Sequence, residues 1–336
     1  MRAVAYTEPG PSSVLHLVER EIPTPGAGEI RVRVVRSGVN PTDWKSRAGG
    51  RIAFDEVVPN QDGSGVVDAL GEGVDGFAVG DRVWLILAQH GRASGTAAEF
   101  TVVPSDRVIP LPEAASFDLG ASLGVPAITA HRALTASEGG PHRLGPGTLD
   151  GIVVLVAGGA GAVGNAAIQL ARWSGATVVT TISSDEKARL ATAAGAQHTV
   201  NYRTTDAADA VLAIAPDGVD IVVEVAPATN NALDLAVTRN HATIAIYANN
   251  GGDELTIDVR ATFARNLRYQ FLLLYTLAPE YLRAAAEDVN AAVTAGALRV
   301  GDEVGLPLHH FALADAAAAH DAVENGAVGK VLIDVG

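Results

Sequence analysis

Residues 152–164 read IVVLVAGGAGAVG, and this stretch decides how the chain folds. Ile152 to Val156 is a run of branched apolar residues bounded by glycine, the composition of a parallel strand buried on both faces. It leads into Gly159-x-Gly161-x-x-Gly164 and then into Asn165–Trp173, whose pattern suits a helix. Strand before and helix after are the context in which such glycines mark a dinucleotide-binding turn. The first glycine is expected to permit the tight turn, the second to let backbone approach a pyrophosphate, and the third to let helix pack on strand. The phosphates would rest along Gly159, Ala160, Gly161, Ala162, Val163 and Gly164, where unpaired N–H groups and the helix dipole favour negative charge.

The end of the next strand speaks to which dinucleotide. A free ribose 2′-hydroxyl is held by an acidic residue about twenty positions past the glycines. Here the second strand, Thr177–Ile182, is followed by Ser183 and Ser184. Asp185 comes two positions later, at the start of the next helix. Lys187 lies in that helix's first turn, and Tyr202 and Arg203 follow the third strand. Small hydroxyls and a cation suit a 2′-phosphate, so the pattern predicts NADPH. The same serines also read as a helix cap, and both readings hold together. Lys187 is informative because the chain has only three lysines, Lys45, Lys187 and Lys330.

A chain of 336 residues is long enough for two domains with cores of their own. With 48% hydrophobic and 18% charged residues it reads as a compact globular protein. No apolar run reaches the roughly eighteen residues of a membrane helix, and MRAVAYTEPG reads as a strand and turn rather than a signal peptide. The expected address is the cytoplasm. Cysteine is absent, which excludes disulfides and cysteine-based zinc or iron–sulfur sites. The net charge of −14 repels phosphate backbones, so no nucleic-acid partner is expected.

Outward from the glycine turn the chain shows two textures. Short strand candidates fill the first hundred residues: 2–6, 14–21, 29–39, 63–70, 81–87 and 96–103, separated by Pro/Gly turns. A helix is expected over Leu119–Leu134, broken at Pro126, then a polar loop over 137–150. Strands at 152–157, 177–182, 197–201, 219–225, 241–248 and 268–275 then alternate with helices. The fold class predicted is α/β, a doubly wound parallel sheet of the Rossmann type beside a β-rich domain. The expected boundaries are 1–125 with 279–336 for the β-rich domain and 126–278 for the dinucleotide domain.

Several strings add detail. They are Gly38-Val39-Asn40-Pro41-x-Asp43, Gly71-x-Gly73-Val74-x-x-Phe77-x-x-Gly80-Asp81-Arg82-Val83, Gly124-Val125-Pro126-x-x-Thr129-Ala130 and Gly329-Lys330-Val331. With the glycine turn they resemble the zinc-free quinone oxidoreductases, or ζ-crystallin-like enzymes, of the medium-chain dehydrogenase/reductase superfamily, over essentially the whole chain. The resemblance implies a GroES-like catalytic domain for the β-rich part. Zinc-dependent relatives carry Cys near position 40 and Gly-His-Glu near 60–62, where this chain has Asn40 and Asn60-Gln61-Asp62. No metal is therefore expected.

Without zinc, the chemistry favours acceptors whose charge delocalises after hydride arrives: quinones, enones and enals. The resemblance places the Asn-Pro segment beside the nicotinamide, making Asn40 a candidate donor to the acceptor carbonyl, with Asp43 and Lys45 as further catalytic candidates. It implies that Thr129 holds the carboxamide, and it extends the cofactor set to Ala226, Ala248, Phe271 and Lys330. Arg51 and Gln61 are candidate substrate residues, and Asp43 with Lys45 could equally form a surface ion pair. The expected function is a zinc-independent NADPH:quinone oxidoreductase or enone reductase. The alternatives are a dedicated enoyl reductase and a non-catalytic nucleotide- or RNA-binding protein. The apolar segment Leu267–Leu277 reads as the last strand of the sheet, and an open apolar edge predicts a homodimer through it.

Overall fold

The computed structural model describes residues 1–50 and 52–336, and the chain divides into two units, residues 1–125 with 307–336 and residues 126–306. The first unit begins with the antiparallel pair β1 (Arg2–Ala5) and β2 (His16–Glu19). β3 (Glu29–Val39) runs directly into α1 (Pro41–Gly49), because Asn40 is extended at the N-cap and Pro41 suits the first helical turn. Strands β4 (Asp62–Leu70), β5 (Arg82–Leu85), β6 (Phe100–Pro104) and β7 (Val108–Pro110) follow, then α2 (Phe117–Gly120), and α3 (Gly124–Leu134) belongs from Pro126 onward to the second unit. The helical break falls at residues 121–123 rather than at Pro126. Pro126 sits in the first turn of α3, where its missing N–H costs nothing.

The second unit is built from β8 (Val153–Ala157), α4 (Ala162–Trp173), β9 (Thr177–Ile182), α5 (Asp185–Ala193), β10 (His198–Asn201) and α6 (Ala207–Ile214). It continues with β11 (Val219–Glu224), α7 (Pro227–Val237), β12 (Thr238–Ile246), α8 (Val259–Ala264), β13 (Arg268–Phe271) and α9 (Pro279–Thr294). The six strands form one parallel sheet in the order β10-β9-β8-β11-β12-β13. Strand order reverses between β8 and β11, the switch point outside which such sheets bind ligands. Leu155, Val179, Val222 and Ile244 form part of the core of this unit.

β13 is shorter than Leu267–Leu277. After Phe271 only the Leu272 N–H continues the ladder, to the Ile246 carbonyl, and residues 274–276 turn away.

The chain re-enters the first unit with β14 (Leu308–Ala312), α10 (Ala316–Glu324) and β15 (Lys330–Asp334). That sheet runs β14-β15-β3-β4-β5-β7, with β6 also on β3. The return therefore comes at Pro307 and not at residue 279. The reason is polar: Asp288 of α9, 5% exposed, accepts hydrogen bonds from His131 Nε2 at 2.8 Å and the Leu144 N–H at 2.7 Å. Arg143 binds the same carboxylate, so the 137–150 loop hangs on α9. Asn165 and Gln169 of α4 bind the Val304 and Arg299 carbonyls. Among the described residues no helix is long and apolar enough to cross a membrane.

Candidate functional site

In the second unit, β8 ends in a turn whose left-handed residue is Gly158, at φ +70°, one position before the glycine expected to make it. Gly159 instead serves packing: a Cβ there would lie 2.3 Å from Thr180 Oγ1 and 2.8 Å from Ile168 Cδ1. Gly164 does the same for the helix, since its Cβ would meet the Gly158 carbonyl oxygen at 2.5 Å. Gly161 caps α4, and a Cβ there would meet nothing nearer than 3.5 Å. The space over Gly161 is open, as a group approaching the helix N-terminus requires.

The neighbouring corner is made by β9 and β10, which pair with Ile182 opposite Asn201. Ser184 caps α5, its hydroxyl accepting the Lys187 N–H at 3.3 Å, and Ser183 and Lys187 are half-buried. Tyr202 is exposed, with its N–H on the Ile182 carbonyl at 3.2 Å. Ser183, Ser184, Lys187 and Tyr202 thus follow the ends of two adjacent strands, and no carboxylate directly follows β9.

Farther along the same edge, a cavity of about 530 Å³ opens beyond β12 and β13, lined by Tyr247, Ala248, Phe271 and Leu272 among others. Ala248 and Phe271 meet there. Ala226 caps α7, and its N–H donates to the buried Glu224 carboxylate. Burial and then Glu224 push Asp234 well above the usual carboxylate range. The sequence gives one signal for Glu224: an acid closing the apolar run Ile221-Val222-Val223.

In the first unit, three of the quoted strings converge on one buried spot. Asn40 Nδ2 donates to Asp62 Oδ2 at 2.7 Å, and Lys330 Nζ donates to Asn40 Oδ1 at 2.7 Å. Lys330 Nζ lies 3.6 Å from Asp62 Oδ2. Asp62 also accepts the Val125 N–H, at 2.9 Å through Oδ1. Asp43 accepts the Asn40 N–H at 2.7 Å and the Gln61 N–H at 3.1 Å, tying α1 to the start of β4. Asn40, Asp43, Asp62 and Lys330 are all 3% exposed or less. Burial first, and then Asp62, push Asp43 up to about 7. Burial also raises Asp62 against the opposing pull of Lys330, and it lowers Lys330 against the pull of Asp62.

Residues 26–113 match the family described as alcohol dehydrogenase GroES-like domain, and residues 162–291 match zinc-binding dehydrogenase. The quinone oxidoreductase of Rattus norvegicus is 30% identical over 341 residues, covering 99% of this chain and 97% of the relative. This chain belongs to the quinone oxidoreductase family. Among solved structures, a mycobacterial protein complexed with NADPH has a TM-score of 0.84 and 28% identity, with 99% of each chain covered. An NAD-dependent alcohol dehydrogenase has a TM-score of 0.86 and 31% identity, with 100% of each covered. The family is one of oxidoreductases within the medium-chain dehydrogenase/reductase superfamily, and the GroES-like and Rossmann units are its two halves.

The zinc named by one of these matches can be tested on the residues themselves. The positions open to a metal hold Asn40, Gln61 and Asp62, and the Lys330 ammonium already sits on two of them. Zinc takes Cys, His and carboxylate ligands, and among the described residues no three His, Cys, Asp or Glu side chains are grouped to hold a metal. The residues in this quinone oxidoreductase-family chain do not fit zinc.

The structure distributes the remaining candidates as follows. Lys45 is exposed on α1, 5.9 Å from the Trp44 ring, whereas Asp43 is buried. Lys330, expected at the cofactor, binds Asn40 and lies beside Asp62 within the GroES-like unit, because β15 is paired to β3. Gln61 is buried, its Nε2 donating to Gln89 at 3.0 Å. Thr129 is buried within α3. Arg51 lies outside the described residues. Asp62 is the member of the buried cluster least visible in the sequence; its signal is an acid heading the glycine-rich strand Asp62-Gly63-Ser64-Gly65.

Proposed function

We propose that this chain is a zinc-independent, NADPH-dependent reductase of quinones or α,β-unsaturated carbonyls. The observation that carries the reading is the buried cluster of Asn40, Asp62 and Lys330, an amide between two charges at the positions where a Lewis acid would need ligands. NADPH, when bound, supplies the hydride. Hydride added to a quinone or to the β-carbon of an enone leaves negative charge spread over oxygen and carbon, so a hydrogen-bond donor suffices to stabilise it. Asn40 is the proposed donor, and solvent supplies the proton.

The two solved relatives differ in the dinucleotide that their descriptions name, so the choice rests on this chain's own residues. Ser183, Ser184 and Lys187 offer hydroxyls and a cation at the end of β9, which favours a 2′-phosphate over a free hydroxyl. The pyrophosphate is proposed to lie over Gly161, with Thr129, Ala226, Ala248 and Phe271 completing the cofactor contacts. We further propose a homodimer through β13.

The test is NADPH oxidation against 1,4-naphthoquinone, cyclohex-2-enone, trans-2-hexenal and crotonyl-coenzyme A, before and after prolonged chelation. Turnover of a quinone or enone that survives chelation is the expected result. Activity restored only by stoichiometric zinc, or turnover of the thioester alone, would overturn it.

A further inference from the structure

The Asn40 side chain is gripped from two sides by opposite charges. An ammonium offers no acceptor and a carboxylate no donor, so only one orientation of the amide satisfies both Lys330 and Asp62. Sheet register brings the three together. β15 pairs β3 with Val331 opposite Val39, which sets Lys330 beside Asn40, and β3 pairs β4 with Gly38 opposite Asp62. Two glycines leave the room: a Cβ on Gly38 would lie 3.1 Å from Lys330 Nζ, and one on Gly124 would lie 2.1 Å from Asp62 Oδ1. Burying a lysine this completely is costly unless its charge is paired and hydrogen-bonded, and here both partners belong to the Asn40 cluster.

We propose that Lys330 and Asp62 are positioning residues that orient and polarise the Asn40 amide, so that its second Nδ2 hydrogen donates to the acceptor oxygen as negative charge develops there. This rests on the reading of Asn40 as the donor. The ammonium on Oδ1 draws electron density from the amide nitrogen and strengthens its N–H as a donor, and linked hydrogen bonds reinforce one another where the local dielectric is low. A donor fixed before reaction acts on the transition state and so on kcat rather than on KM.

The decisive variant is the pair Lys330→Met with Asp62→Asn, which removes both charges together and leaves neither one buried alone. It is compared with Asn40→Ala and with the triple variant, using NADPH and 1,4-naphthoquinone. Side-chain amide NMR supplies a second readout, the Asn40 resonance being the one lost in Asn40→Ala. Asn40→Ala is expected to lower kcat about a hundredfold. The charge-pair variant should lower it about tenfold at unchanged KM and move the Asn40 resonance, with no further loss in the triple variant. A folded charge-pair variant with wild-type kcat and an unmoved resonance overturns the proposal, as does a loss that adds fully to that of Asn40→Ala. Wild-type kcat in Asn40→Ala overturns instead the donor reading beneath it, and a resonance that still moves in the charge-pair variant tells the two failures apart. Should the charge-pair variant not fold, Lys330→Gln keeps a donor for Asn40 Oδ1 without the charge and gives the same comparison.

Discussion

Ser184 and Lys187 share one turn of helix yet do separate jobs. The Ser184 hydroxyl accepts the Lys187 N–H as the cap of α5 and keeps its own O–H to donate, while Lys187 supplies the cation that distinguishes the dinucleotides. Lys187→Ala should weaken NADPH binding about tenfold, or about 1.4 kcal/mol, and leave NADH nearly unchanged. Titration of each cofactor by fluorescence checks this, and equal losses would remove Lys187 from the 2′-phosphate. Asp43 and His320 are predicted to act on stability in opposite directions. Asp43 stands near 7 when folded against 3.8 ordinarily, so its contribution is complete at low pH and is lost as pH rises through about 7. Burial pushes the fully enclosed His320 down to about 3 from 6.5, so its contribution is complete above 6.5 and is lost as pH falls through about 3. Removing the acid in Asp43→Asn should therefore make stability rise more steeply with pH between about 4 and 7, by up to about 1.4 kcal/mol per pH unit. Urea denaturation across that range measures it; an unchanged slope would mean that Asp43 is ionised throughout.

At the scale of an element, the β8–α4 turn separates a glycine that packs from a glycine that binds. Gly161 has φ −83° and open space, so Gly161→Ala should fold with an unchanged melting temperature while cofactor affinity falls at least about tenfold. Gly164→Ala drives a methyl into the Gly158 carbonyl and should cost roughly 1–3 kcal/mol of stability. Thermal melts with and without NADPH distinguish the two; equal destabilisation would place Gly161 in the packing as well. The strand–glycine–helix order was plain in the sequence, because a buried strand and an amphipathic helix are local patterns. Which glycine turns the chain was not, because Gly158 and Gly159 are adjacent and only the backbone dihedral tells them apart.

On the scale of the whole molecule, β13 ends the sheet of the second unit, pairing with β12 on one side. The Leu272 N–H points inward to Ile246, so by the alternation of a strand the Phe271 N–H faces the open side. Phe271 and Leu273 are 60% and 56% exposed, and Val259 and Phe263 are exposed in the same unit. An apolar unpaired edge is a pairing surface, and an isologous partner would cover it in both copies. Sedimentation at micromolar concentration should show a dimer, and Phe271→Pro, which removes an outward donor without touching the inner ladder, should yield monomer. A wild-type monomer would end the proposal.

The sequence by itself determined the alternation of strand and helix, the six-strand sheet, the glycine turn and the serine–lysine corner, because each is written in residues that are neighbours along the chain. It also marked Asn40, Asp43 and Lys330 as strings without saying that they were one object. That was decided by register: β15 and β4 lie on either side of β3, and residues nearly three hundred positions apart come within a hydrogen bond. The boundary at residue 307 was decided the same way, by Asp288 on α9, whose partners lie in α3 and the 137–150 loop, and by Asn165 and Gln169 of α4, which hold residues 299 and 304. Local periodicity carries the elements; buried charge finds its partner only in three dimensions, since desolvation makes the pairing obligatory once the chain has closed around it.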